Sequence, residues 1–513
     1  MSRSDSPSSL ASRRSMLKAA AGCGMMTNTS LMATLLGLQA TKSVMAANDT
    51  SGYKAIVCLF LFGGNDSYNM LIPRDGDSTS GEYGHYHDSR GGFDYVDGNG
   101  VQQNQGGLAL EQSSLVPLNP DGSGRSFGLS PGMAADEDPN ASTDPAQRGV
   151  AGLYNTGKLA FVANIGSLID YMTATTYAST QKPLGLFSHA DLQRHWMSGV
   201  PQTRNGLTGW GGRLADAMQA TNQNPSVSMN ISIGGVNLFQ TGGSVIPYTI
   251  TASNPSGSTP ATPATVVAGY SPDLSTTNYQ NRIFSRNING FLDQTYSNLL
   301  SQSLVDVNKN SIDAAIAFNE AVNTVTVNTP FNSESPSSQM ETIARVIGAN
   351  SVLQQGRQVF FVSLGGWDNH GDLMTAHEGN LSRVSRALTS FYHALEELGL
   401  ENDVLTFTAS DFARTLSTNG KGSDHAWGGN QIVMGGGING GKIYGQFPTS
   451  LAMGTDIYLN RGRLIPTTSV DSLAAEIAMW FGISNGPDLV DILPNIRTFY
   501  GAGETTTPLQ MFG

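Results

Sequence analysis

The sequence predicts an α/β fold in which a doubly wound, mostly parallel sheet is sandwiched between helices and carries long loop insertions. Strand-like apolar runs alternate with helical patterns in the C-terminal half of the chain. Residues 54–62 (KAIVCLFLF) form an apolar run bounded by glycines, as expected for a central strand buried on both faces. The 513 residues allow one large domain of this kind.

The individual elements follow from the spacing of apolar residues. Strand patterns occupy residues 54–62, 158–165, 229–233, 358–364, 403–408 and 431–435. Helical patterns occupy residues 149–154, 190–196, 211–220, 278–325, 339–349, 381–398 and 471–481. We expect a single domain over residues 48–513, interrupted by insertions around residues 75–147 and 240–277. The first insertion has little periodicity, and the second is dominated by Thr, Ser, Pro, Gly and Ala.

Residues 1–47 predict an export leader. Arg13 and Arg14 precede a weakly apolar stretch over residues 19–40, and Ala46 and Ala47 offer a small-residue cleavage site. This order resembles a twin-arginine signal, which makes the twin-arginine export machinery an expected partner and the periplasm or the exterior the expected location. The alternative is a basic tail with a chance arginine pair. The stretch is too polar for a stable membrane span.

Charge and cysteine content narrow the class of protein. The formal net charge is −12, and removal of residues 1–47, with five basic and one acidic side chain, would bring it to −16. Nucleic acid is therefore not an expected partner, because phosphate binding needs a basic surface. Cys23 lies in the leader and Cys58 in the first strand, so the mature chain has no disulfide. Cys58 is expected to be a small buried hydrophobic residue.

Four short acidic motifs, two of which contain a histidine, follow predicted strands or lie in the loops that connect them. The carboxyl ends of parallel strands are where α/β sheets place their chemistry. Aspartate and histidine are ligands of hydrolytic metal sites. The motifs are Gly63-Gly64-Asn65-Asp66, Gly366-Trp367-Asp368-Asn369-His370, Ser410-Asp411-Phe412 and Ser423-Asp424-His425.

Asp368 and His370 are the first candidate ligands. In an extended segment residues i and i+2 face the same side, so both can reach one ion. The alternative is a turn with a hydrogen-bonded Asp–His pair. Asp66 is a further candidate ligand, for which a solvated turn residue is an equal alternative.

Asp411 is a candidate ligand at the end of its strand, and Arg414 follows within one turn. Arg414 is expected either to bind an oxyanion bidentately or to form an internal salt bridge with Asp411. Asp424 and His425 lie in a glycine-rich segment. They are expected to be metal ligands, with an ordinary surface loop as the alternative.

Ser188 precedes the helical pattern of residues 190–196. Its position suits an N-cap, and a helix N-terminus also favours a nucleophile or an anion-binding hydroxyl. His189, Asp191 and His195 add titratable neighbours. The two roles of Ser188 are compatible.

Taken together, the leader and these motifs resemble a large family of exported bacterial proteins of uncharacterised function that is related to the alkaline phosphatase and sulfatase superfamily. The resemblance runs from about Tyr53 to the C-terminus. It rests on GGND, FSHADLQRHW, GGWDNH, TASDFART and SDHAWGG, in that order.

The resemblance implies an alkaline phosphatase-like fold with one or two divalent metal ions. It implies Ser188 as nucleophile or its replacement and a metal-ligand set of Asp66, Asp368, His370, Asp411, His425 and, as ligand or in an outer shell, Asp424. Two features depart from the superfamily: Asp368 and His370 are closely spaced, and Phe412 follows Asp411 where relatives often carry histidine. The absence of a Cys-x-Pro-x-Arg signature argues against a formylglycine sulfatase.

The expected function is that of an exported metal-dependent hydrolase of phosphate, sulfate or related esters, with a small-molecule or glycan ester as substrate. The expected metal is zinc, manganese, calcium or iron, with Ser188 and Arg414 as catalytic residues. The alternative is a non-catalytic binding or assembly protein on the same fold. A Ser-His-Asp hydrolase is less consistent with the sequence, because no Gly-x-Ser-x-Gly elbow follows a strand.

Overall fold

The computed structural model describes residues 48–92, 95–96, 102–103, 106–224, 226–245, 247–252, 270–271, 274–275 and 277–512. The expected leader, residues 1–47, lies outside the described residues, as does most of the expected insertion at residues 240–277. Residues Thr50–Gly513 form one compact unit. In the described part of the chain, no helix has the length and apolar character needed to cross a membrane.

The six strands predicted from the sequence are present within a few residues, and the further, mostly short strands were not predicted. The strands are β1 (Lys54–Leu61), β2 (Leu71–Pro73), β3 (Tyr95–Val96), β4 (Gln102–Gln103), β5 (Val116–Pro117), β6 (Phe127–Leu129), β7 (Leu159–Gly166), β8 (Asn230–Ser232), β9 (Tyr248–Thr249), β10 (Arg357–Leu364), β11 (Val404–Ser410), β12 (Gly429–Gly435), β13 (Ile443–Gly445), β14 (Tyr458–Leu459), β15 (Arg463–Leu464) and β16 (Thr468–Ser469).

The predicted helices are present, but the pattern over residues 278–325 forms two helices and the helix predicted over residues 381–398 begins at Leu373. Three further helices, Gly81–Ser89, Pro487–Ile492 and Ile496–Phe499, were not predicted. The helices are α1 (Gly81–Ser89), α2 (Gly149–Asn155), α3 (His189–Ser198), α4 (Trp210–Met218), α5 (Tyr279–Leu292), α6 (Leu299–Asn323), α7 (Ser337–Gly348), α8 (Leu373–Leu398), α9 (Val470–Phe481), α10 (Pro487–Ile492) and α11 (Ile496–Phe499). Short 3₁₀ turns occupy Gln112–Ser114, Pro131–Ala134, Pro145–Gln147, Gln219–Thr221 and Asn460–Gly462.

The central sheet has nine strands and is mostly parallel, as predicted. Eight of them follow the order β13-β7-β12-β11-β1-β10-β8-β9, and β16 also pairs with β7. β12 runs antiparallel to both of its neighbours, β11 and β7, while the other pairings are parallel. A three-stranded sheet, β2-β6-β5, and the pairs β3-β4 and β14-β15 lie apart from it.

Helices cover both faces of the sheet, as the side chains of β1 show by pointing alternately to the two faces. Val57 and Leu59 point into a core that includes residues of α2, α7 and α8, whereas Ile56, Cys58 and Phe60 point into a core that includes residues of α3, α4 and α9. A strand buried on both faces requires the continuous apolar run seen in the sequence. Cys58 is 2% exposed, in agreement with its expected role as a buried hydrophobic residue.

The segment over residues 75–147 contributes to the core, which corrects the expectation of a loop insertion. It contains α1 and β3 to β6, and its side chains Tyr83, Tyr86, Phe127 and Leu129 are buried. Its strands have two or three residues each, which is too short to produce a periodic signal. It also supplies Arg90, a fully buried cation discussed below.

The parallel neighbours β11, β1 and β10 end at one edge of the sheet, so the segments that follow them meet there. Close contact between these segments depends on glycine. Gly63 has φ +123°, and a Cβ there would lie 2.5 Å from the backbone nitrogen of Asp368. A Cβ on Gly422 would lie 2.5 Å from the carbonyl oxygen of Asn369. The motifs that follow β1, β10 and β11 therefore lie together at this edge. The contact of Gly422 with Asn369 brings the fourth motif, Ser423-Asp424-His425, to the same place.

Candidate metal centre

Three histidines and one aspartate converge at this edge of the sheet; we refer to His189, Asp368, His370 and His425 as the histidine cluster. Oδ1 of Asp368 lies 3.1 Å from Nε2 of His370, 3.5 Å from Nε2 of His189 and 3.6 Å from Nε2 of His425. The Nε2 atoms of His370 and His425 are 3.0 Å apart. Oδ1 of Asp368 therefore has three imidazole nitrogens within 3.6 Å.

The Nδ1 atoms of His189 and His425 face acceptors on the outer side of the cluster. Nδ1 of His189 lies 2.6 Å from Oδ2 of Asp411, and Nδ1 of His425 lies 2.8 Å from the carbonyl oxygen of Phe187. Because these oxygens accept only, both Nδ1 atoms donate, and in the neutral imidazoles the Nε2 atoms carry lone pairs. The rings are thus held in the tautomer that binds a metal ion through Nε2.

His370 is held in the same way by a second carboxylate. Its Nδ1 lies 3.1 Å from Oδ1 of Asp424. Asp424 is in turn bound by Arg461 and by the side-chain amide of Asn419, at 3.3 Å. Although burial alone would raise the pKa of Asp424, these contacts lower it below the ordinary value. The carboxylate behind His370 is therefore ionised at neutral pH.

This geometry fits a metal ion better than it fits the apoprotein. The lone pairs of His370 and His425 face each other across 3.0 Å, and Nε2 of His189 is buried without a hydrogen-bond partner. A metal ion among these atoms would satisfy both features, whereas a proton shared between His370 and His425 would satisfy only the first. Zinc ligands at about 2.0–2.1 Å in a tetrahedron are about 3.3–3.4 Å apart, similar to the distances around Asp368. The ligand atoms of His189, Asp368 and His425 all lie within 4.8 Å of one another. His370 is not in that group, and its Nε2 is close to Asp368 and His425.

Arg414 fixes the position of Asp368 and does not point into the site. Its guanidinium is buried and donates to the carbonyl oxygens of Gly64 (3.1 Å), Ser423 (2.9 Å) and Gly63 (2.7 Å), as well as to Asp368. Burial alone would raise the pKa of Asp368, but the hydrogen bond and charge of Arg414 outweigh it and lower that pKa. The salt bridge is thus with Asp368 and not with Asp411, and each guanidinium nitrogen already has a protein acceptor.

The cluster is partly open to solvent. The side chains of Asp368 and His370 are 49% and 45% exposed, whereas those of His189 and His425 are 29% and 25% exposed. The hydrogen bond to Asp411 raises the pKa of His189, and burial lowers the pKa of His425. Water and a small ligand can therefore reach the cluster from the side of Asp368 and His370.

Aromatic residues pack against the inner histidines. The ring of Phe412 lies 4.8 Å from the ring of His189 and 4.7 Å from that of His425, centroid to centroid. Phe187 has φ 75°, an uncommon backbone conformation for a bulky residue, and this conformation accompanies the contact between its carbonyl oxygen and His425. Backbone strain of this kind persists where surrounding contacts fix the residue, often at functional sites.

Asp66 lies outside the histidine cluster. Its Oδ2 forms a buried ion pair with Arg90, which also donates to the carbonyl oxygen of Thr415 at 3.1 Å. The expected role of Asp66 as a metal ligand is therefore replaced by a buried salt bridge next to the site. The sequence could not show this, because Arg90 comes from the segment that we expected to be a loop insertion.

Ser188 lies at the N-cap position of α3, but its side chain does not cap the helix. Its hydroxyl instead interacts with Asp191, which Arg204 binds through Nη2 at 2.9 Å. The residue that enters the cluster is His189, one position later. The sequence motif contains this signal, a histidine at the start of a helix, directly after the predicted Ser188.

Asp411 lies behind the cluster and orients His189. Its Oδ2 also accepts from Gln193 at 2.8 Å, and its Oδ1 accepts from the backbone of Gly63 at 3.2 Å. Both oxygens of Asp411 are bonded in this way, so Asp411 lies behind the candidate ligand His189 and orients its ring. Asp424 has the same position behind His370. Of the expected ligands, Asp368, His370 and His425 lie in the cluster itself.

A comparison with known protein families identifies the family of the chain. The model of the family described as Protein of unknown function (DUF1501) matches residues 53–484 of the chain. This range includes every residue of the histidine cluster and the residues that orient it. No curated protein matches the chain.

Proposed function

We propose that this chain, which belongs to the DUF1501 family, holds one divalent metal ion at the histidine cluster and hydrolyses a phosphate, sulfate or related ester. The observation that carries the proposal is the convergence of three imidazole Nε2 atoms on Oδ1 of Asp368, with an acceptor behind every Nδ1. A structural role does not by itself require three imidazole Nε2 atoms within 3.6 Å of one carboxylate oxygen.

The donor set narrows the choice of metal. Three imidazoles and one carboxylate suit zinc, iron or manganese, whereas calcium prefers a site made of oxygen ligands. One ion is proposed because the three imidazoles and Asp368 form a single cluster, from which Asp66, paired through Oδ2 with Arg90, is absent. When bound, the ion would supply Lewis-acid activation of a water molecule and of the ester oxygen.

Hydrolysis in this site would consume one water. Its oxygen forms a bond to phosphorus or sulfur, the bond to the bridging ester oxygen breaks, and the alcohol leaves with a proton. The chain contributes by holding Asp368 through Arg414 and the imidazoles through Asp411, Asp424 and the Phe187 carbonyl. The proposal does not require Ser188 as nucleophile, since its hydroxyl interacts with Asp191.

An alkaline phosphatase-like fold and twin-arginine export remain part of the proposal. The mostly parallel sheet with its site at the carboxyl edge of β1, β10 and β11 is compatible with that superfamily. Export would place the hydrolase in the periplasm or outside the cell. The argument for export is the arginine pair and the apolar stretch of the leader.

The test is ester hydrolysis by the full chain after chelation and again after addition of zinc, manganese or iron. We expect turnover of 4-nitrophenyl esters of phosphate or sulfate only with metal, and its loss in His425→Ala. His393→Ala is the matched control, because His393 is exposed and pairs with Glu396 away from the cluster. Metal-independent turnover, or full activity in His425→Ala, would sink the proposal. Bound metal without turnover of any ester would favour a metal-containing binding or assembly protein.

A further inference from the structure

Arg463 lies beside the histidine cluster with the end of its guanidinium unengaged. Its Nε donates to the carbonyl oxygen of His425 at 2.9 Å, and its Cζ lies 4.7 Å from the ring centroid of Phe187. No carboxylate of the described residues pairs with it. The guanidinium plane is thus fixed by one hydrogen bond and one aromatic ring, while Nη1 and Nη2 have no protein acceptor among those residues.

The guanidiniums of Arg414 and Arg461, which also lie near the cluster, each pair with a carboxylate. Arg414 is buried against Asp368 and backbone carbonyls, as described above. Arg461 binds Oδ2 of Asp424, whose Oδ1 holds His370. Arg414 thus neutralises a carboxylate of the cluster, and Arg461 neutralises the carboxylate that orients His370. Arg463 is the remaining one, and no carboxylate balances its charge.

An unbalanced cation is significant in so acidic a chain. With a formal net charge of −12, the protein repels anions unless a local positive group attracts them. A guanidinium presents parallel N–H groups that match two oxygens of a phosphate or sulfate group. Because Arg463 is already fixed by His425 and Phe187, binding an anion costs little additional side-chain entropy.

We propose that Arg463 is the residue that selects anionic over neutral esters, by binding the non-bridging oxygens of the phosphate or sulfate group beside the histidine cluster. The inference rests on the proposed function for the identity of the reaction, but anion binding by Arg463 can be measured without any turnover. It assigns to Arg463 the oxyanion-binding role that the sequence suggested for Arg414.

The test is the binding of anions whose carbon–sulfur or carbon–phosphorus bond this hydrolase would not cleave. Benzenesulfonate and phenylphosphonate are titrated into the full chain by calorimetry, with metal and after chelation, and the neutral probe benzamide is titrated in parallel. The variants are Arg463→Gln and, as a matched control, Lys421→Gln. Lys421 lies on the exposed loop beside His370, so its removal makes the same change in net charge at the same edge.

We expect Arg463→Gln to weaken binding of at least one of the two anions by about tenfold or more, the loss typical of a hydrogen bond to a charged group. Benzamide affinity, metal content and the Lys421→Gln control should be unchanged. The anion with the larger loss identifies sulfo or phospho esters as the preferred class. Equal anion affinity in wild type and Arg463→Gln, an equal loss in Lys421→Gln, or no anion binding to the wild type would overturn the assignment.

The kinetic result separates this inference from the proposed function. If esters are hydrolysed, Arg463→Gln should raise KM for 4-nitrophenyl sulfate or phosphate and leave the rate with 4-nitrophenyl acetate unchanged. An absence of metal or of ester turnover in the wild type contradicts the hydrolase. The anion titrations on the chelated protein then still decide the role of Arg463.

Discussion

Each histidine of the cluster is fixed by the acceptor behind it, and the contact between Asp411 and His189 is the shortest of the three, at 2.6 Å. Outer-shell partners of this type set the tautomer and the direction of a metal-binding imidazole. Their mutation lowers metal affinity without removing a ligand. Asp411 therefore offers a test of the orienting contacts that leaves the histidine cluster itself intact.

We expect Asp411→Asn to lower metal affinity about 10- to 100-fold, the usual effect of losing an outer-shell carboxylate. The amide cannot supply the negative charge that favours Nδ1–H of His189. The measurement is competition with a chromophoric chelator. Asp170→Asn, at an exposed aspartate that accepts from the backbone of Tyr171, is the control and should be unchanged. Unaltered affinity in Asp411→Asn would show that Asp411 is only a packing residue.

Individual site residues could be predicted where their position after a strand or beside an aspartate leaves few possible roles. Asp368, His370 and His425 follow a strand or stand next to an aspartate, and the structure brings them together. Arg414 was harder to assign, because its partner depends on the register of β1 with β10 and β11. His189 could not be distinguished from its neighbour Ser188, since the sequence does not indicate which side chain at a helix start faces the sheet edge.

At the scale of elements, the turn after β1 decides whether the site can form. Gly63 combines φ +123° with a backbone approach that leaves no space for a Cβ next to Asp368. The carbonyl oxygens of Gly63 and Gly64 also accept from Arg414. The turn thus connects the end of the central strand to the carboxylate of the cluster.

Gly63→Ala is expected to destabilise the fold by at least about 1–3 kcal/mol, the range for a residue forced into a sparsely populated backbone region. Displacement of Asp368 should lower metal affinity at the same time. Denaturant unfolding and the chelator competition measure the two effects. Gly365→Ala serves as the comparison, because a Cβ there meets nothing within 4 Å. Equal behaviour of the two variants would argue against the role given to this turn.

Long periodic elements were predictable, whereas short non-local ones were not. β1, β7, β10 and β11 each appear as an apolar run that burial on both faces demands. β2 pairs with β6, whose residues lie more than fifty positions later, for example Leu71 with Leu129. No local pattern encodes that pairing. The antiparallel direction of β12 likewise depends on how the segment after β11 returns to the sheet.

For the molecule as a whole, His377 links stability to pH. It is buried, its Nε2 lies 2.8 Å from Oδ1 of Asn65, and burial lowers its pKa from 6.5 to about 4. The unfolded chain therefore binds one more proton than the native state between these two values. The stability contributed by neutral His377 is fully present above pH 6.5 and is lost as pH falls toward about 4.

The apoprotein should accordingly lose about 2 kcal/mol of unfolding free energy through His377 between about pH 7.5 and about pH 5. His377→Gln, which cannot titrate, should show a shallower pH dependence by this amount. Urea unfolding at several pH values measures the difference. His393→Gln, at an exposed histidine, should retain the wild-type pH dependence. Parallel curves for wild type and His377→Gln would contradict the burial argument.

The most direct test of the whole account is the metal content of the full chain, purified without chelator or affinity metal and measured by elemental analysis. We expect about one equivalent of zinc, manganese or iron per chain, consistent with a single imidazole-rich site. The metal should be lost in the His189→Ala/His425→Ala double variant and kept in the His85→Ala/His393→Ala double variant. No metal in the wild type after reconstitution, or equal metal in both double variants, would contradict the central claim.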